Sequence, residues 1–289
     1  MERLKPPWLR VRAPGAPLQL EKLLASLKLA TVCQSAHCPN LPTCWGEGTA
    51  TFLLLGEVCT RACRFCAVQT GWPGEKPDPQ EPERLLQAAK ALKLNHVVLT
   101  SVDRDDLPDG GAAHFAACIR LLRRELPQVT VEALIPDFGG QRAAIETVVR
   151  SGPQVVGHNL ETVRRLTPRV RDPRAGYDLS LAVLKAVKEL SPDTVTKSSL
   201  LLGLGEREEE VEEAILDLRA VGTDILVLGQ YLRPSPAQLP VQRYLPPEEF
   251  ARWADWARRI GFQAVVAGPL VRTSFRAAQA LAAVRCGSS

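Results

Sequence analysis

The chain has 289 residues, 45% of them hydrophobic and 24% charged, and a formal net charge of +4. Such a length suits one large domain with short extensions and a sizeable core, and no apolar run is long enough to span a bilayer. The positive charge is mild and spread along the chain, which excludes the clustered basic footprint of a nucleic-acid binder.

The opening stretch MERLKPPWLRVRAPGAP carries charge and proline where a secretory leader needs an apolar segment, so the chain is expected in the cytoplasm. In that reducing compartment, clustered cysteines point to metal binding or catalysis rather than to disulfides. From residue 49 onward, β-branched and apolar runs predict strands at 49–56, 96–101, 129–136, 154–160, 195–204, 224–230 and 262–269. Segments of helical period lie between them, at 81–94, 112–125, 141–151, 178–190, 206–221 and 247–260. In the fifth of these, Val211, Ile215 and Leu218 recur at three- to four-residue steps and the pattern stops at Gly222, as a helix does. Strand then helix, repeated about six times, predicts a parallel α/β sheet with crossover helices, and the number of units favours a barrel. Functional residues then belong at the C-terminal ends of the strands. Proline-rich stretches at 72–82 and 233–247 read as ordered loops, and the charge run at 205–213 as a solvated helix face.

Six of the eight cysteines fall in two triplets. Cys59, Cys63 and Cys66 follow directly on the first predicted strand, so three thiols project from one loop at the top of the sheet. Thiolates select zinc, copper(I) or iron–sulfur clusters. A structural zinc normally takes four ligands, whereas three thiolates around a four-iron cube leave one iron open to a substrate. Cys33, Cys38 and Cys44 precede the first strand, in a segment with two prolines and an asparagine, and look like a separate module.

The C-x3-C-x2-C spacing with Phe65 before the last cysteine resembles the radical S-adenosylmethionine (radical SAM) superfamily. The C-x4-C-x5-C triplet ahead of it resembles the lipoyl synthases within that superfamily. The same family is matched by CPNLPTCWGEGTATF (38–52), TSVDRDDLPDGGAAHF (100–115), LIPDFGG (134–140), HNLETVRRL (158–166), TKSSLLLGLGE (196–206), GQYLRPS (229–235) and GPLVRTSF (268–275). The resemblance implies a partial (βα)6-type TIM barrel at 49–267, an N-terminal cluster module at 1–48 and a C-terminal extension at 268–289. It implies two 4Fe–4S clusters: one held by Cys59, Cys63 and Cys66 that binds SAM, and an auxiliary one held by Cys33, Cys38 and Cys44.

The implied reaction replaces hydrogens at carbons 6 and 8 of a protein-bound octanoyl-lysine with sulfur, using two SAM and sacrificing the auxiliary cluster. Those carbons carry no acidic proton and no leaving group, so a cofactor radical is needed. Implied partners are octanoylated lipoyl carriers, namely the acyltransferase subunits of 2-oxoacid dehydrogenases and the H protein of glycine cleavage, with an electron donor such as ferredoxin or flavodoxin. Nucleic acid and membrane are not among them.

Members of the family complete the auxiliary cluster with a serine oxygen from a C-terminal Arg-Ser-Ser-Tyr motif, which here reads Arg272-Thr273-Ser274-Phe275. Thr273 aligns with the first serine and Ser274 offers a second hydroxyl; a capping role after the last strand is the alternative. Gln34 and Ser35 stand where the family usually carries acidic residues. Arg104, Asp105 and Asp106 lie just past the second strand, followed by Gly110 and Gly111, which let the backbone approach a ligand closely. His158 and Asn159 end the fourth strand, Lys197 begins the fifth, and Gln230 and Arg233 follow the sixth; with Arg272 these are candidates for the SAM and substrate cavity, a satisfied core histidine being the alternative for His158. His37 is read as a bystander, Cys118 as a core residue and Cys286 as an exposed thiol.

Overall fold

The computed structural model describes residues 5–10, 18–35, 38 and 40–287. His37 and the side chains of Gln34 and Ser35 lie outside the described residues. Helix α1 (Leu18–Ser26) leads into strand β1 (Ala30–Thr31), followed by two short helices, α2 (Val32–Ser35) with Cys33 and α3 (Leu41–Gly46) with Cys44. Strand β2 (Thr49–Leu54) comes next, then the paired short strands β3 (Val58–Cys59) and β4 (Gln69–Thr70). The chain then alternates through α4 (Glu81–Ala91), β5 (His96–Ser101), α5 (Ala112–Glu125), β6 (Thr130–Leu134), α6 (Arg142–Val149) and β7 (Val155–Gly157). It continues with α7 (Thr167–Val170), α8 (Tyr177–Leu190), β8 (Val195–Leu202), α9 (Glu208–Ala220), β9 (Ile225–Gln230), α10 (Pro247–Arg259), β10 (Ala264–Gly268) and α11 (Ala277–Gly287). All seven expected strands and six expected helices are there, most a residue or two shorter at their ends.

The sheet has eight strands in the order β1-β2-β5-β6-β7-β8-β9-β10. Every pair is parallel except β1 with β2, an antiparallel edge of two residues. This makes a partial barrel. Alternation along each strand separates two faces. Val97 and Leu99 of β5 and Val131 and Ala133 of β6 pack outward against the helices in one apolar cluster. Leu226 and Leu228 of β9 join a second under α8 to α10. The intervening Ile225 and Val227 face the other way, where they meet Val271 and the Ala280 and Val284 side chains of α11. The last helix therefore packs on the concave side, next to β10. At the other edge α2 and α3 pack against β2. The N-terminal module and the C-terminal segment are joined directly: Asn40 Nδ2 donates to the Leu270 carbonyl at 2.6 Å and Gln279 Nε2 to Glu47 Oε2 at 2.9 Å.

Candidate metal centres and their surroundings

The loop after β2 carries Cys59, Cys63 and Cys66, all half-buried thiols. It is held at the strand ends by four other loops. Thr60 N bonds the Asp103 carbonyl after β5, Arg64 N the Val170 carbonyl, and Leu239 N the Arg64 carbonyl. Ala62 N donates to Asp172 Oδ2 at 2.9 Å. The strongest anchor is Arg61, between the first two cysteines. Its guanidinium donates to Asp137 at 2.6 and 2.7 Å and to Asp105 at 2.8 and 3.0 Å, with Asp103 3.4 Å away. Burial opposes that charge, but Asp137 and Asp105 overcome it and raise the Arg61 pKa. Arg174 extends the clamp, bonding Asp172, Asp105 and the Thr60 carbonyl. Asp103 is left least compensated: burial, then its neighbours Asp137 and Asp105, push its carboxyl to about 6 against the pull of Arg61.

Every sulfur of this triplet accepts a backbone N–H. Cys59 Sγ receives Asp103 N at 3.3 Å and Arg61 N at 3.5 Å, Cys63 Sγ receives Asp172 N at 3.4 Å, and Cys66 Sγ receives Val68 N at 3.5 Å. Burial nonetheless pushes all three thiols to about 11, and each works against ionisation of a neighbour. Without metal they stay protonated at neutral pH, so metal binding must displace protons. Sulfurs that already accept amide hydrogen bonds, and that repel one another as thiolates, suit an iron–sulfur cluster, whose properties such bonds tune. Among the described residues no three His, Cys, Asp or Glu side chains are placed to hold a single metal ion.

Cys33, Cys38 and Cys44 also form one group. Cys33 and Cys44 are pushed to about 11, first by burial and then by one another or by Cys38. Thr51 on β2 bonds Cys33 through both its backbone and its side chain. The backbone of Arg276 bonds Cys44, which brings the C-terminal motif onto this triplet. The two hydroxyls of the motif differ. Thr273 Oγ1 is shared by Asn159 Nδ2 and Ser199 Oγ, each at 3.1 Å, whereas among the described residues Ser274 Oγ makes no hydrogen bond.

The remaining candidates divide by how much of their bonding capacity the fold uses. Arg104 is buried and bonds Asp106 and the carbonyls of Leu55 and Glu75. Asp105 belongs to the Arg61 clamp. Gln230 is completely buried, donating to the carbonyls of Leu202, Tyr231 and Arg243 and accepting Leu245 N. Arg233 holds the carbonyls of Gln238 and Pro236 in its own loop. His158 is a buried histidine with both nitrogens engaged: Nδ1–H must donate to the Ile135 carbonyl at 2.9 Å, so Nε2 accepts from Ser180 at 2.9 Å. Burial, then the Arg171 charge, lowers it to about 4.

Lys197 points into the barrel onto Glu132, and both side chains are 1% exposed. His96 Nε2 stands 3.6 Å from the same carboxylate. Burial works to raise the Glu132 carboxyl, but Lys197 and His96 hold it below its usual range. Asn159 bridges Glu161 and Thr273 and keeps a buried Oδ1 with no partner among the described residues. Cys118 is buried and Cys286 exposed.

The sequence marked Asp105 but not Arg61 or its other carboxylates, Asp103 and Asp137, nor Glu132, Glu161 and Ser199. The clamp had left a signal. Asp103 and Asp137 each follow a strand, in VDRDD and PDFGG, and acids gathered at one end of a barrel need a cation among them.

A partial barrel with a three-cysteine loop on its first parallel strand defines a class, and the profile of the radical SAM superfamily matches residues 53–218. Solved structures agree on the fold. A methylornithine synthase (PylB) superposes with a TM-score of 0.52 at 13% identity, over 79% of this chain and 67% of its own. Coproporphyrinogen III oxidase (HemN) from Escherichia coli, a radical SAM enzyme, superposes with a TM-score of 0.50 at 14% identity, over 71% of this chain and 51% of its own. Curated sequence relatives are far more similar. The lipoyl synthase of Thermus thermophilus is 57% identical over 96% of this chain and 86% of its own length, and that of Marinobacter nauticus 54% over 94% and 79%.

The chain belongs to the lipoyl synthase family of radical SAM enzymes. Its activity is that of a sulfurtransferase, inserting two sulfur atoms at carbons 6 and 8 of a protein-bound octanoyl-lysine with SAM and 4Fe–4S clusters, and its substrate is a lipoyl-domain protein. No helix among the described residues is long and apolar enough to cross a membrane.

Proposed function

We propose that Cys59, Cys63 and Cys66 hold the cluster that binds SAM, and that Cys33, Cys38 and Cys44, with a hydroxyl from the Arg272–Phe275 segment, hold the auxiliary cluster. The observation that carries the first assignment is the set of backbone N–H donors on all three sulfurs. The second is supported by the mutual influence of the N-terminal thiols and by the Arg276 backbone on Cys44. Ser274 is favoured over Thr273 as the hydroxyl, since Thr273 would have to give up its bonds to Asn159 and Ser199. The functional division is then a cluster module at 1–48, the barrel at 49–267 and a C-terminal extension at 268–289.

When bound, the clusters supply the electron that cleaves SAM and the sulfur that enters the product. The protein's own work is placement. Arg61 and its carboxylates fix the barrel loop, so that the three thiols that would hold the cluster stay in one position. Asn159, Ser199 and Thr273 tie the loop after β7 and the middle of β8 to the C-terminal segment, which sets one triplet relative to the other. Reactions at an unactivated carbon depend on such alignment and on exclusion of water. The carriers are the octanoylated acyltransferase subunits of 2-oxoacid dehydrogenases and the H protein, and reduction comes from a ferredoxin or flavodoxin in the cytoplasm. Eight cysteines, all of them free thiols, fit that reducing compartment.

Iron and sulfide analysis after anaerobic reconstitution tests the assignment. About eight irons per chain are expected, and about four after either triplet is replaced by alanine. Ser274→Ala should alter the auxiliary-cluster spectrum and Thr273→Ala should not. Zinc in place of iron, or iron unchanged on loss of a triplet, contradicts it.

A further inference from the structure

Arg64 stands between Cys63 and Cys66, and its side chain is exposed. The backbone around it is fastened to two distant parts of the chain. Arg64 N donates to the Val170 carbonyl at 2.8 Å, the Arg64 carbonyl accepts Leu239 N at 3.0 Å, and Gln238 Nε2 donates to the Cys66 carbonyl at 3.2 Å. Segments 61–70, 167–174 and 231–240 therefore form one continuous surface around these two cysteines.

The charge on that surface has one sign. The three segments carry six arginines, no lysine and a single acid, Asp172, which is buried and held by Arg174. Arg61 is buried in its clamp, Arg171 is buried against Ser180, and Arg233 bonds carbonyls of its own loop. What remains is Arg64 and Arg169, next to Val170. Both are exposed, and among the described residues neither side chain makes a hydrogen bond or an ion pair. Their exposed neighbours Ala62, Ala67, Pro168 and Pro173 are short or rigid, so a partner can approach the loop closely.

Two kinds of protein come to this enzyme, an octanoylated carrier and an electron donor. The carrier's arm must reach between the two triplets, and the N-terminal triplet meets Thr51 of β2 and the backbone of Arg276, not segments 167–174 or 231–240. The donor needs only the barrel cluster. A protein resting on Arg64 has a ligand of that cluster two residues away on one side and one on the other. Redox encounters use small interfaces, below about 1,200 Å², and rely on charge to orient the partners. Two unpaired arginines on a low surface suit such a partner, provided that it is acidic.

We propose that the face bearing Arg64 and Arg169 is the docking surface for an acidic one-electron carrier protein, which is oxidised there as the barrel cluster takes up its electron. This rests on the assignment of Cys59, Cys63 and Cys66 to that cluster and on reduction by a small redox protein.

The test uses the full-length protein with both clusters reconstituted, SAM and an octanoyl-lysine peptide, and reads the rate of 5′-deoxyadenosine formation with limiting reduced flavodoxin or with excess dithionite. Arg64→Glu and Arg169→Glu should each slow the flavodoxin-driven rate by about tenfold at low salt and leave the dithionite-driven rate unchanged. Arg169→Lys, which keeps the charge, should match the wild type. The wild-type advantage should vanish between about 0.01 and about 1 M salt, as the screening length contracts from about 30 to about 3 Å. Arg169 lies off the cluster loop, so it decides the matter if Arg64→Glu also loses iron. Equal flavodoxin-driven rates in wild type and Arg169→Glu overturn the proposal. So does a raised KM for an octanoylated lipoyl domain with the flavodoxin rate unmoved, which gives the face to the substrate carrier. Wild-type turnover with dithionite but with neither flavodoxin nor ferredoxin would instead overturn the reading of the donor itself, and the proposal with it.

Discussion

Replacing Arg61 by methionine keeps the bulk of the side chain and removes the charge from the centre of the cluster loop. In the folded protein that charge lies between Asp137, which is completely buried, and Asp105 and Asp103, each 24% exposed. Four donor contacts of 2.6 to 3.0 Å disappear at once. Breaking one side of a buried ion-pair network costs about 3–5 kcal/mol, because the partners left behind are uncompensated. Asp103 is already pushed to about 6 with the arginine in place, so part of the penalty will appear as proton uptake by these carboxyls. Because the loop holding Cys59, Cys63 and Cys66 hangs on this contact, iron should fall from about eight to about four per chain while the auxiliary cluster persists. Arg61→Lys should rescue little, since a point charge cannot make both bidentate contacts. The assays are urea unfolding of the metal-free protein and iron analysis after reconstitution. A stability change under about 1 kcal/mol with all iron retained would refute the clamp.

His158 has a folded pKa of about 4 against an ordinary 6.5, so the unfolded chain binds the extra proton between those values and stability falls as pH drops through that window. The linkage amounts to about 2 kcal/mol between pH 7.5 and pH 5, and urea titrations of the metal-free protein should show it missing in His158→Gln. Lys197→Met alone should cost about 3–5 kcal/mol by stranding Glu132, whereas Lys197→Met with Glu132→Leu should recover most of it; equal losses in both would mean that the pair is not an ion pair. Gly229→Ala should destabilise the protein by about 1–3 kcal/mol, since the new Cβ would run into the Val271 backbone carbonyl, which cannot rotate away, and it should disturb the auxiliary cluster while sparing the barrel one.

The repeating units of the fold were legible because each has its own period. Val211, Ile215 and Leu218 mark α9 by helical spacing, and HVVLTS marks β5 as a buried strand. Short elements gave no such signal. Two residues of β1 and four of α2 are too few to show a period, and their geometry is set by packing against β2. The cysteines were legible as a pattern of soft ligands, and the family resemblance carried them to two clusters. Of the clamp on Arg61 only the acids after the strands were legible, because its members lie on four separate loops and meet only once the barrel has brought the strand ends together. His158 shows the reverse case: a polar residue at the end of a strand invites a ligand role, and only the partners of both ring nitrogens reveal a core histidine. The different standing of Thr273 and Ser274 likewise depends on Asn159 and Ser199, more than seventy residues away.

The central claim is that the two cysteine triplets do different jobs, and a single-turnover assay with an octanoyl-lysine peptide, SAM and reductant tests it most directly. Mass spectrometry of 5′-deoxyadenosine and of thiolated peptide reads the two halves of the reaction separately. With Cys33, Cys38 and Cys44 replaced by alanine, 5′-deoxyadenosine should still form and no sulfur should enter the peptide; with Cys59, Cys63 and Cys66 replaced, neither product should appear. Thiolated peptide from the first variant, or 5′-deoxyadenosine from the second, would contradict the account.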